Sequence, residues 1–290
     1  MQRPLVSLFT LLTITPAAAL EFKTESFTHL SPKFEVPITV KVKTPKELHQ
    51  APQSLLFLFG GFEEANKVLD LVSPETPVAL ASFDYPFDAP RKFTFPESLT
   101  LLPKARKTLH SSISLVSEVL NSILARYPQI DPKQVSIIGA SLGAPLAVYA
   151  AERDPRFSGV ILIHGFADLP GTIRHQLWRK WGPPRHGKWI WPFVSVLSYG
   201  IWWSMGLRSV ESAAEGLHPN QKVLLIEAEE DEFLPEKSRS SLKASLENSK
   251  SQLSYIKVMG GHLMPGAKDK IRALLKIVTD WCSQQALIRN

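Results

Sequence analysis

A serine between two glycines, in GASLGA at positions 139 to 144, is the residue of this chain best suited to attack an electrophile. The spacing alone fixes only three residues, so what surrounds Ser141 decides its meaning. QVSIIG ahead of it is an apolar, β-branched run, and LGAPLAVYAAERD behind it is a small-residue helical stretch. A strand, a sharp turn and a helix hold a serine hydroxyl clear of the backbone at the strand's carboxyl end. The helix N-terminus then favours the negative charge that develops when the serine attacks a carbonyl. Gly139 and Gly143 leave the turn room, and Ala140 and Ala144 add no bulk. A structural turn serine is the bland alternative, and the flanking pattern argues against it.

A serine nucleophile needs a base, and the base needs a carboxylate to orient it. Of the eight histidines, His262 lies in MGGHLMPG, a glycine-flanked loop directly after the apolar run QLSYIKV. His164, in LIHGFADLP, also follows an apolar run and is the rival base. For the acid, KVLLIEAEEDEFLP offers Glu227, Glu229, Glu230, Asp231 and Glu232. Most of such a run is ordinarily a solvated face. Asp231, just before EFLP, is the best placed, and the resulting chain order is Ser141, Asp231, His262.

These groups meet only if a scaffold brings several strand ends to one edge. FKTESFTHL and VPITVKVKT alternate as half-exposed strands do, whereas SLLFLFGGF and PVALASFDYP are continuous apolar runs. Leu109, Ile113, Val116, Leu120, Leu124 and Tyr127 keep helical spacing up to Pro128, and Ile271, Leu274, Leu275, Val278 and Trp281 do so near the C-terminus. SGVILIHG, KVLLIEAEED and QLSYIKVMGGH supply three further strand runs. Such alternation predicts an α/β fold with a mostly parallel central sheet covered by helices on both faces.

About fifty residues separate VILIHG from KVLLIEAEED, far more than a βα connection needs. This stretch holds six of the seven tryptophans: Trp178, Trp181, Trp189, Trp191, Trp202 and Trp203. Trp189 to Leu207 carries no charge and formally resembles a membrane span, but Pro192, Gly200 and Gly206 interrupt it. A span would also strand the following strand across the bilayer. The segment reads as a helical cap inserted at about 167–210, either a lid over Ser141 that favours apolar acyl chains or a small satellite core. Arg174, Arg179, Lys180, Arg185, Lys188 and Arg208 flank the apolar stretch and suit peripheral contact with an anionic lipid surface.

On GASLG, EEDEFLP and GGH, residues 34–285 resemble the α/β-hydrolase superfamily, which implies an α/β-hydrolase fold and a Ser141–Asp231–His262 triad. LFLFGGF is similar to the strand that ends in the superfamily's oxyanion turn. Gly60 stands there in place of a common histidine, and Ala228 in place of a common glycine. The resemblance implies that the backbone N–H groups of Phe62 and Leu142 form the oxyanion hole.

Composition sets the remaining bounds. A net charge of +6 without Lys/Arg runs or a nucleic-acid motif argues against a nucleic-acid partner. One cysteine, Cys282, excludes an internal disulfide and a cysteine-based metal site, and is expected as a buried, inert thiol. No motif calls for a metal or an organic cofactor. MQRPLVSLFTLLTITPAAAL has the basic start, short apolar run and small residues of a signal peptide, with cleavage expected after Ala19 and export to a periplasm or beyond. An uncleaved anchor or a transit peptide is the alternative. The mature domain is then 20–290. The function expected is a serine hydrolase cleaving carboxylic esters of apolar acyl groups. A thioesterase or small serine peptidase on the same machinery, or a non-catalytic membrane-associated binding protein, remains as the alternative.

Overall fold

The computed structural model describes residues 20–34, 37–46, 52–59, 65–71, 76–84, 100–181, 188–264 and 267–288. The signal peptide expected at 1–19 and the residues expected to form the oxyanion turn, Gly60, Gly61 and Phe62, lie outside them. Eight strands form one sheet: β1 (Phe22–Leu30), β2 (Pro37–Pro45), β3 (Gln53–Phe59), β4 (Ala79–Phe83), β5 (Ile130–Ala140), β6 (Phe157–Ile163), β7 (Lys222–Ala228) and β8 (Gln252–Val258). Their order across the sheet is β1-β2-β4-β3-β5-β6-β7-β8. The first two strands pair antiparallel, β2 runs antiparallel to β4, and every later pairing is parallel.

Side-chain alternation explains why the central strands read as unbroken apolar runs. Along β3, Leu55, Phe57 and Phe59 enter one core, while Leu56 and Leu58 enter the other. The first core is closed by α2 (Leu102–Arg126) and α3 (Gly143–Arg153), through Val116, Leu120, Leu146 and Val148 among others. The second is closed by α8 (Lys268–Gln284), through Leu274, Val278 and Trp281. Each such side chain removed from water contributes about 1.5–3 kcal/mol. Cys282 is buried in α8, and burial pushes its thiol up to about 12, so it stays protonated at neutral pH. A short α1 (Ala65–Leu71) packs near β4, and α7 (Glu236–Glu247) joins β7 to β8.

Two boundaries differ from those the residue pattern predicts. The helix expected from Leu109 begins two turns earlier, at Leu102, because Pro103 in its first turn needs no hydrogen-bond donor there. The strand expected from Gln134 begins at Ile130, where Gln53 pairs with Ile130 before the register shifts.

Between β6 and β7 the chain forms α4 (Leu169–Trp181), a 3-10 turn at Lys188–Ile190, α5 (Trp191–Met205) and α6 (Val210–Glu215). Val210, Ala213 and Ala214 of α6 belong to the first core, so the last helix of the insertion is part of the main body. In contrast, α4 buries only Gly171 and Thr172 fully, and α5 only Val194 and Ser198. Among the described residues the insertion contributes no hydrophobic cluster separate from the two cores. Gly206 ends α5 with φ of 61°, a left-handed cap that glycine adopts without strain. Among the described residues no helix is long and apolar enough to cross a membrane.

Candidate active site

The site is built at the carboxyl ends of β5, β6, β7 and β8. Ser141 occupies the turn between β5 and α3 with φ of 52°, a left-handed conformation that costs a non-glycine residue energy and must be held by its surroundings. Two backbone bonds hold it. Ser141 N–H donates to the Ile163 carbonyl at the end of β6 (2.9 Å), and Ala144 N–H donates to the Ser141 carbonyl (2.9 Å). The crossing of strand and helix is so close that a Cβ on Gly139 would meet the Gly143 carbonyl and come within 2.7 Å of Ala144 Cα and Ala147 Cβ. Glycine at 139 is a steric requirement of the turn.

His262 follows β8 in a loop that turns through Gly260, whose φ of 88° only glycine adopts readily. Lys270 of α8 ties the loop down by donating to the Gly261 carbonyl. The imidazole lies between the two other groups, with Nε2 2.9 Å from Ser141 Oγ and Nδ1 2.7 Å from Asp231 Oδ2. An ionised carboxylate only accepts hydrogen bonds, so Nδ1 carries the proton and Nε2 presents its lone pair to the serine hydroxyl.

Asp231 lies in the loop after β7. Its Oδ1 accepts from Phe233 N–H and Leu234 N–H, both at 3.0 Å, leaving Oδ2 for His262. Burial pushes its carboxyl up, but the bond and charge of His262 together with the two backbone N–H groups outweigh this and hold it below its ordinary value. Glu227 instead bonds Tyr255, and Glu230 meets the base loop through its backbone, N–H to Gly260 carbonyl. Only Asp231 of the acidic run hydrogen-bonds His262.

His164, the rival base of the sequence, makes a different set of contacts. It is fully buried at the end of β6 with φ of 50°, and its ring meets that of His262 edge-on at 5.1 Å between centroids. Its Nδ1 accepts from Leu263 N–H at 3.0 Å and lies 3.8 Å from Asp231 Oδ2. Burial and the neighbouring His262 push its pKa down to about 4, so it is neutral at ordinary pH, with its proton on Nε2, a buried atom that meets no acceptor. The bond from Leu263 fixes the residue next to His262, a contact no local pattern announces. Among the described residues, His164, Asp231 and His262 are the one group whose ligand atoms lie close enough together to hold a metal ion, within 4.8 Å of one another. Converging on an ion would break the bonds just described.

Ser141 and His262 open into a cavity of about 570 Å³, within the range of about 300–1,000 Å³ usual for small-molecule sites. Its walls come from the start of α2 (Leu102, Leu109), from α3 (Leu146) and from the insertion, where Ile173 of α4 and Leu197 and Ile201 of α5 face inward. No acidic side chain lines it among the described residues. The insertion is also tied to the acid loop: His175 and Gln176 donate to the carbonyls of Glu232 and Phe233, and Arg179 stacks over the Phe233 ring at 4.3 Å. The contribution of α2 to the cavity carries no sequence signal, since Leu101 and Leu102 precede the stretch with clear helical spacing. Leu142, which lines the cavity beside Ser141, is the N-cap of α3 and so precedes the first-turn N–H groups that have no helical partner.

Residues 116–288 match the prolyl oligopeptidase family. The chain belongs to that family. It is a serine hydrolase of the α/β-hydrolase superfamily, and the open, mostly parallel eight-stranded sheet is that superfamily's fold. Solved structures of similar fold include the acylaminoacyl peptidase of Pyrococcus horikoshii, with TM-score 0.62 and 14% identity over 90% of this chain. This family member spans only 41% of that peptidase's length. A cold-adapted esterase from an Arctic intertidal metagenomic library matches with TM-score 0.59 and 14% identity, covering 92% of this chain and 95% of its own. An S-formylglutathione hydrolase from Agrobacterium tumefaciens matches with TM-score 0.58 and 16% identity, covering 93% and 98%. No curated protein matches the chain in sequence.

Proposed function

We propose that this serine hydrolase cleaves carboxylic esters of apolar acyl groups, with Ser141 as nucleophile, His262 as general base and acid, and Asp231 as the orienting carboxylate. The observation that carries this reading is the line of hydrogen bonds from Ser141 through His262 to Asp231, opening into a cavity walled by aliphatic and aromatic side chains. Ser141 Oγ attacks the ester carbonyl carbon as its proton passes to His262 Nε2, and Asp231 stabilises the imidazolium that forms. The tetrahedral oxyanion is held by backbone N–H groups, Leu142 and, on the superfamily resemblance, Phe62, each such donor being worth about 3 kcal/mol. Collapse expels the alcohol, which takes the proton from Nε2. Water then enters, gives a proton to His262 and its oxygen to the acyl carbon, and the acid leaves as Ser141 recovers its proton. Residues 1–19, read as a signal peptide, favour action outside the cytoplasm.

Family membership and the likeness to an acylaminoacyl peptidase favour a second reading, cleavage of short peptides. The lining of the cavity weighs against it, since no carboxylate among the described lining residues would receive a peptide's amino terminus. A panel of p-nitrophenyl esters of increasing acyl length beside peptide p-nitroanilides separates the two. Ester turnover should rise with acyl length, peptide turnover should be absent, and Ser141→Ala should lower ester kcat/KM by at least about 10³-fold. Near-wild-type turnover by Ser141→Ala would overturn the assignment, and efficient anilide cleavage would transfer it to peptides.

A further inference from the structure

The two sides of α5 are both apolar, and only one of them faces the cavity. Leu197, Ile201, Trp202 and Met205 line the chamber over Ser141. On the opposite side Val196, Tyr199 and Trp203 are exposed by 74%, 54% and 81%, and Trp189, in the turn before the helix, by 79%. The adjacent pair Trp202 and Trp203 shows the division within one peptide unit. A stripe of large apolar side chains left in water at helical spacing is unusual on a soluble surface and marks a contact site.

Charge around the stripe points to what covers it. Residues 169–208 contain Arg174, Arg179, Lys180, Arg185, Lys188 and Arg208 and no aspartate or glutamate. Arg208 is paired with Glu152 of α3, and Arg174 lies over the Trp191 ring at 5.3 Å. The neighbouring helix α2 carries Lys104, Arg106 and Lys107 in its first two turns and no acidic residue before Glu118, and the Arg106 guanidinium lies against Gly206 at the end of α5. An uncharged helix with tryptophan and tyrosine along its outer side, flanked in sequence by basic residues without acidic ones, is complementary to a bilayer with anionic headgroups. Indole and phenol rings settle at the boundary between headgroup and acyl chain, and each basic residue near such a surface raises partitioning about fivefold. With 15 residues and a cavity beneath it, α5 suits a position parallel to the membrane plane.

We propose that the outer side of α5, with Trp189, is a docking surface for anionic phospholipid bilayers. The surface is distinct from the reaction proposed above, and binding can be read without turnover. The measurement is flotation of the full chain, wild type and Ser141→Ala, with phosphatidylcholine vesicles lacking or containing about one-third phosphatidylglycerol. Both proteins should float with the anionic vesicles, more weakly with the neutral ones, and added salt should weaken the anionic binding several-fold. Trp189→Ser/Val196→Ser/Trp203→Ser should lower partitioning at least about tenfold, with acetyl-ester kcat/KM and thermal midpoint close to wild type. Lys107→Glu/Lys188→Glu, which leaves the stripe intact, should remove the preference for anionic lipid. Absence of wild-type flotation, or flotation unaffected by either variant, would overturn the proposal. So would a wild-type dimer in gel filtration that the triple variant converts to monomer, because the stripe would then belong to a second copy of this chain.

Discussion

Acidification should destabilise this protein through His164 before it affects the Asp231 carboxylate. The ordinary histidine value of 6.5 applies to the unfolded chain, and burial beside His262 brings it to about 4 in the fold, with Asp231 raising it and Lys270 and Arg239 lowering it further. Between these two values the unfolded chain holds a proton that the folded chain does not, so stability falls as pH falls. The contribution is complete above pH 6.5, is reduced by about 2 kcal/mol at pH 5, and its loss approaches about 3 kcal/mol below the folded value. Asp231 has its pKa lowered from 3.8, so its contribution is lost only in more acidic solution, outside this window. His164→Asn isolates the effect. The asparagine oxygen lies close to where Nδ1 accepts from Leu263 N–H, asparagine tolerates the φ of 50°, and the amide does not titrate. The variant should be less stable than wild type at pH 8, because a buried ring has been lost. Urea unfolding followed by tryptophan fluorescence from pH 8 to pH 4 should show the two stabilities converging by about 2–3 kcal/mol. A wild-type-minus-variant difference that stays constant across that range would refute the reasoning, since the buried neutral imidazole would then not be what the proton attacks.

Two further outcomes follow from the geometry. In Asp231→Asn the amide oxygen can keep the Phe233 and Leu234 N–H groups, which turns the amide nitrogen toward His262 Nδ1 and forces the imidazole into the tautomer that donates to Ser141; kcat should fall on the order of 10³–10⁴-fold with little change in thermal midpoint. Activity of Asp231→Asn within about tenfold of wild type would show that the carboxylate is not orienting the base. Ile201→Trp should fill part of the cavity under α5 and lower kcat/KM for a decanoyl ester at least about tenfold while leaving acetyl-ester hydrolysis close to wild type. An unchanged acyl-length profile would place the acyl chain elsewhere.

The hydrogen-bonded trio of Ser141, His262 and Asp231 was legible in the residues because each stands next to a strand end whose apolar run can be read locally. GASLG after VSII, the acidic run after KVLLIEA and GGH after QLSYIKV carry their own context, and a parallel sheet delivers all three to one edge. Even there, the acidic run held five carboxylates, and only the fold picks out Asp231, through the backbone N–H groups of Phe233 and Leu234 that turn its side chain toward His262. His164 read as a rival base on position alone. Its bond from Leu263 joins residues 99 apart in sequence, and no local pattern encodes that. The same holds for the insertion. Trp189 to Met205 is apolar on every side, so its periodicity contains no direction, and composition says only that the segment must bury something. Which tryptophans roof the cavity and which meet the solvent is decided by how α4 and α2 pack against α5, and that packing sends Trp202 inward and Trp203 outward.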